Sequence, residues 1–151
     1  MSLFSGFNIS ASGLTANRMR MDVVSSNIAN ANTTRAELVN GEWVPYRRKS
    51  VQLSQSGVSP FEQKLQSMMN RESTHVSGVK VSRIKEDQTP FTLSYDPTNS
   101  EADENGYVRL PNVDPIKEMV DLMSATRSYE ANVTALNASK SMFMKALEIG
   151  K

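Results

Sequence analysis

Apolar residues recur every seven positions at both ends of the chain and alternate through its middle. Phe7, Leu14, Met21 and Ile28 share one heptad position, and Val24 and Ala31 complete an a/d seam in the second half. Ser10 and Asn17 hold the seam earlier, so it is polar there. A helix from Ser5 to Asn30 would be a rod of roughly 39 Å at 1.5 Å per residue. Its seam is surrounded by small residues, among them Ala11, Ser12, Gly13, Ala16 and Ala29, which let a neighbouring helix come close. Gly and Ser are weak helix formers, so this helix depends on packing partners. An ordinary amphipathic helix of a small bundle fits the same pattern.

The C-terminal pattern runs from Asp114 to Glu148. Met119, Thr126, Val133, Lys140 and Leu147 fall on one heptad position, and Leu122, Tyr129, Leu136 and Phe143 on the other. Asp114-Pro115 predicts an N-cap followed by Pro at the first helical position, with Glu118 in the first turn. Gly150 predicts the stop, with Lys145 and Lys151 at the negative end of the dipole. A second apolar set lies off the seam: Ile116, Val120, Met123, Met142, Met144 and Ile149. A helix with two apolar faces is packed on two sides. One partner would be the N-terminal helix and the other a neighbouring molecule.

Between these ends the period shortens. Glu37–Val39 and Glu42–Val44 flank Asn40-Gly41, which supplies the two positive-φ residues of a type I′ hairpin. Ser50–Leu53, Gly78–Ile84, Phe91–Tyr95 and Gly106–Leu110 alternate as strands, and Asp96–Asn99 is a turn. Pro60–Asn70 fits a short helix or a loop, and Glu101–Gly106 an exposed acidic tip. The expected fold is α+β, with an N-terminal helical segment (1–35), a β-rich middle domain (36–112) and a C-terminal helical segment (113–151). No strand–helix–strand alternation occurs, so the sheet is expected to be antiparallel. The two helices bracket it and can return beside each other as an antiparallel, coiled-coil-like arm.

Composition narrows the function by exclusion. The chain has 151 residues, a net charge of +1, no Cys and one His. Near-neutral charge gives no general attraction to nucleic acid or an acidic membrane surface. Without Cys there is no disulfide, thiol chemistry or Cys-based metal site. The first residues lack the basic and apolar regions of a secretory signal, and no run approaches a membrane-spanning length. A soluble protein without a cleaved signal peptide is expected. His75 has no second His to form a metal or triad set, and Glu101, Asp103 and Glu104 lack the order of a calcium loop. Arg47-Arg48-Lys49 reads as a solvated strand or rim contact rather than a phosphate site. Trp43 and Tyr46 read as sheet packing rather than ligand contacts, and the nine Met residues as core or interface. No catalytic residue, cofactor site or metal site is expected. Two classes remain: a self-assembling structural subunit, and a helical adaptor or secreted binding module that folds on a partner of another secretion machine.

The ends carry a resemblance. Ile9–Leu14 with Ser25-Ser26-Asn27-Ile28-Ala29-Asn30-Ala31-Asn32-Thr33-Thr34 resembles the N-terminal signature of bacterial flagellar rod and hook proteins. Glu118–Met123, Arg127–Val133 and Ala138–Met142 resemble that family's C-terminal signature. Short length and Thr34-Arg35, where other axial members often carry Thr-Pro-Gly-Tyr, are similar to its proximal-rod members. The resemblance implies a non-enzymatic subunit of the basal-body rod, the drive shaft around the export channel. It implies export through the flagellar type III apparatus, a place outside the cytoplasmic membrane, and no membrane insertion or nucleic-acid binding. The implied partners are other copies, other rod proteins and the MS-ring adaptor. The implied assembly interface is Leu14, Met21, Val24, Asn27, Ile28, Asn30, Met119, Leu122, Tyr129, Val133, Leu136, Phe143 and Leu147. Asn27, Asn30 and Asn32 either hydrogen-bond across subunits or end the helix.

Overall fold

The computed structural model describes residues 3–56, 64, 65, 68 and 77–149. His75 and most of Pro60–Asn70 lie outside the described residues. The elements run α1 (Leu3–Ala29), β1 (Glu37–Val39), β2 (Glu42–Val44), β3 (Lys49–Gln55), β4 (Val79–Glu86), β5 (Thr92–Tyr95), β6 (Tyr107–Leu110) and α2 (Pro115–Ile149). The α+β expectation is met by two terminal helices with antiparallel strand pairs between them. The strands form three separate two-stranded ladders, β1–β2, β3–β4 and β5–β6, rather than one sheet.

Local chemistry sets the boundaries. Asn40 and Gly41 have φ of 53° and 89°, the left-handed pair of a type I′ turn, and set Val39 opposite Glu42 and Leu38 opposite Trp43. The α2 N-cap is Asp114: its Oδ1 accepts from the backbone N–H of Ile116 at 3.0 Å and Lys117 at 3.3 Å. The last described turn of α2 carries no basic residue; Lys145 lies upstream and pairs with Glu148 at 2.7 Å. Glu118 lies in the first turn of α2, as expected, and its side chain is fully buried.

The contacts divide the chain into two compact units. One comprises Met1–Met19, Gln52–Arg83 and Ala125–Lys151. Within it α1 and α2 run antiparallel: Gly13 lies against Asn132, and Phe7 and Asn8 share a groove with Lys140, Phe143 and Met144. A Cβ at Gly13 would sit 2.9 Å from Asn132 Oδ1, so glycine permits the approach. Gly78 presses on the Ser12 side chain in the same way, and Ser12 Oγ accepts the Val79 N–H at 3.1 Å.

The other unit comprises Arg20–Val51 and Ile84–Ser124. Its buried residues include Val23, Val24, Asn27, Tyr46, Val108 and Glu118. In β5–β6, Tyr95 lies opposite Tyr107 with ring centroids 5.3 Å apart in an edge arrangement.

Candidate assembly interface

A polar hub sits at the centre of the second unit, where the end of α1 meets the start of α2. Asn27 and Glu118 are both 0% exposed. Asn27 Nδ2 donates to the Lys49 carbonyl and to Glu118 Oε2, each at 2.8 Å. Its Oδ1 accepts from Tyr46 OH at 3.0 Å and from the Lys49 N–H at 2.9 Å. Both donors and both lone pairs of the amide are therefore used. Glu118 Oε1 takes the Arg48 Nε–H at 2.6 Å, a charge-assisted bond. One buried side chain from each helix and the strand-entry segment Tyr46–Lys49 thus form one network. A buried carboxylate is tolerable because it is paired and hydrogen-bonded on both oxygens.

A second layer holds Arg48. Its amino groups lie 3.8 Å from Asp87 Oδ2 and 3.5 Å from Asp121 Oδ2. Its backbone N–H donates to Asn112 Oδ1 at 2.8 Å, and Asn112 Nδ2 reaches the carbonyls of Asp87 and Thr89 at 3.2 Å. The Asp87 carboxyl is held below its ordinary value of 3.8, first by the Thr89 backbone N–H at 3.0 Å and further by the Arg48 and Lys117 charges; burial opposes this.

The basic run is thus not a solvated strand. Arg47 lies over the Phe91 ring at 4.5 Å, Arg48 enters the hub, and Lys49 lies over Tyr46 at 5.6 Å. Tyr46 is buried as expected, but Trp43 does not pack a sheet: it is 54% exposed, because the short β1–β2 hairpin has no layer over it.

The expected interface residues distribute as follows. Val24 and Asn27 are buried within the chain. Leu14, Met21, Ile28, Asn30, Leu122, Tyr129, Val133, Leu136 and Phe143 are half-buried, and Met119 and Leu147 are exposed. Asn30 is tied to its own helix end, donating to the Ser26 carbonyl at 2.9 Å and accepting from Thr33 Oγ1 at 3.2 Å. Asn32 is exposed.

The off-seam apolar set of α2 is the clearest outward feature. Ile116, Val120 and Met123 are 72%, 55% and 61% exposed, and Met119 joins them. Their three- and four-residue spacing makes one stripe along the first turns of α2. Farther along, Met142, Met144 and Leu147 are exposed as well. Periodicity found these residues; it did not find the hub, whose members are polar and distant in sequence. Among the described residues no His, Cys, Asp and Glu cluster could hold a metal ion, and no helix is long and apolar enough to cross a membrane.

Terminal helices pinned by a saturated polar hub, with apolar side chains turned outward, define a subunit of an assembly. Residues 7–36 match the family described as Flagella basal body rod protein, and residues 104–149 the Flagellar basal body rod FlgEFG protein C-terminal family. The chain is 63% identical to the flagellar basal-body rod protein FlgC of Bacillus subtilis (strain 168), with all of both chains aligned. It is 42% identical to FlgC of Borreliella burgdorferi over 99% of this chain and 98% of that one. Against FlgC of Escherichia coli O157:H7 the identity is 41% over the whole of both chains. The chain belongs to the flagellar basal-body rod protein family, among its FlgC members.

Proposed function

We propose that this chain is a structural subunit of the flagellar basal-body rod, placed in its proximal part and assembled through its terminal helices. The full-length relationship to FlgC proteins carries the reading. The outward stripe on α2 supports it, since exposed apolar side chains at helical spacing suit burial against a neighbouring helix. In this reading the hub fixes one end of the helix pair to the strands, so that force on the helices reaches the middle of the chain. The partners are other rod subunits and the MS-ring adaptor. The chain reaches them through the flagellar type III export apparatus, and it performs no catalysis.

Electron microscopy of basal bodies from a strain lacking this gene, with and without complementation, tests the role. The expected result is a basal structure that stops at the MS ring and regains its rod when the gene is restored. Complete rods, hooks and filaments in the deletion strain would refute it and bring forward an adaptor acting at another secretion machine.

A further inference from the structure

The cleft beside Trp43 belongs neither to the hub nor to the α2 stripe. It lies within the second unit, has a volume of about 220 Å³, and is built by four separate stretches of chain. Buried Pro45 and Val108 line it together with Trp43, which is 54% exposed. Its rim carries charges of both signs, largely paired. Arg35 Nε meets Glu101 Oε1 at 2.8 Å, and Arg109 Nε lies 3.9 Å from Asp103 Oδ2. The acidic segment is exposed at Asp103–Asn105, as expected, and is fastened by hydrogen bonds. The Glu101 N–H donates to Asn99 Oδ1 at 3.1 Å, the Asp103 N–H to the Tyr107 carbonyl at 2.9 Å, and the Gly106 N–H to the Asp103 carbonyl at 2.8 Å.

We propose that this cleft binds a single gluco-configured pyranose ring of a glycan. Three features select that chemistry. A ring with equatorial substituents has a flat C–H face, which the open indole can cover as an apolar platform. Each of its hydroxyls both donates and accepts, and the rim offers guanidinium donors beside carboxylate acceptors already held in place. The cleft is smaller than the roughly 300–1,000 Å³ of pockets for drug-sized ligands, which suits one ring rather than an extended ligand. The charges exclude the alternatives. A phosphate would face Glu42, Glu101 and Asp103, and an organic cation would face Arg35 and Arg109. A neutral polyol meets neither penalty.

Trp43 is the sole Trp of the chain, so fluorescence excited selectively at the indole, beyond the absorption of the four Tyr, reports this cleft. The full chain is titrated with two neutral sugars, cellotetraose and fully N-acetylated chitotetraose. A saturable change with at least one of them is expected, with a Kd of about 1 mM, the weak range suited to one ring. Glu101→Gln should weaken it about tenfold, a loss of one charge-assisted bond. Trp43→Ala, followed by calorimetry because the fluorophore is gone, should abolish it, while Trp43→Phe keeps a flat platform and retains binding. Trp43 is 54% exposed, so the thermal transitions of its two variants should match the parent. No saturable response to either sugar overturns the proposal. So does binding that survives Trp43→Ala. Shielding of Trp43 only when other rod subunits are added would overturn it too, and would assign the cleft to a protein contact.

Discussion

Asn27 shows how one amide can fix three pieces of chain. Its four bonds are all made, so its removal strands both backbone groups of Lys49 and one oxygen of Glu118, and leaves Tyr46 OH only its 3.3 Å contact with Ser26 Oγ. Stranded buried polar groups cost about 1–3 kcal/mol each when they cannot reach water. Asn27→Ala should therefore lower unfolding free energy by about 3 kcal/mol, read as a lower urea midpoint. The Arg48–Glu118 pair gives a sharper test. Arg48→Met alone leaves a charge buried and should cost about 3–5 kcal/mol, whereas Arg48→Met with Glu118→Leu should recover part of that loss, the remainder including the Asn27 N–H left without its Glu118 acceptor. A double variant as unstable as the single would mean that the pair supplies more than charge balance. Asp87 sets the acid limb. Its folded-state value lies below its ordinary one, so its contribution is fully present above the ordinary value and lost as pH falls through the lowered one. Asp87→Asn should therefore reduce stability at neutral pH and flatten its decline in acid, measured as urea midpoints from neutrality to about pH 2.

At the scale of the element, capping and turns were legible because their chemistry is local. Asp114 caps α2 and Asn40-Gly41 turns the hairpin as their sequences dictate. Helix faces were less legible. On α2 the fully buried residues are Glu118 and Ala125, and Asn132 follows at the same seven-residue spacing against Gly13. That column stands one position before Met119, Thr126 and Val133, the column hydrophobicity selected. The pattern missed it because burial there goes to polar and small side chains, satisfied by partners far away in sequence. The same reason hid Arg48, whose carboxylate partner lies seventy positions on. The role of Gly13 can be tested directly. Asn132 is tied to its own helix by an Nδ2 bond to the Ser128 carbonyl at 2.8 Å, so it yields little to a new methyl group. Gly13→Ala gains up to about 1 kcal/mol of helix propensity but overpacks the contact by about 1–3 kcal/mol. A net loss of stability is expected by denaturant unfolding, and a net gain would show that the helices can part without cost.

For the whole molecule, the question is which apolar residues hold the chain together and which await a neighbour. Leu14→Asp and Leu136→Asp should each stop assembly, but both residues are half-buried in their own chain, so the variants also burden the fold. Val120 and Met123 separate the two effects. They are more than half exposed, and a surface change away from caps and buried networks shifts stability by only about 0.5 kcal/mol. An aspartate at either site would nonetheless be stranded if a neighbouring helix covered the stripe. Val120→Asp and Met123→Asp should therefore match the parent in thermal unfolding and circular dichroism, yet fail to restore rods or swimming to a strain lacking the gene. Ser124→Asp, on an exposed position adjoining the stripe, measures how far the covered area extends. If the stripe is a helix–helix seam, motility should fall most at positions 120 and 123 and recover at the edge. Full motility in both stripe variants would remove α2's first turns from the interface and leave the exposed Met142, Met144 and Leu147 as the surface to test.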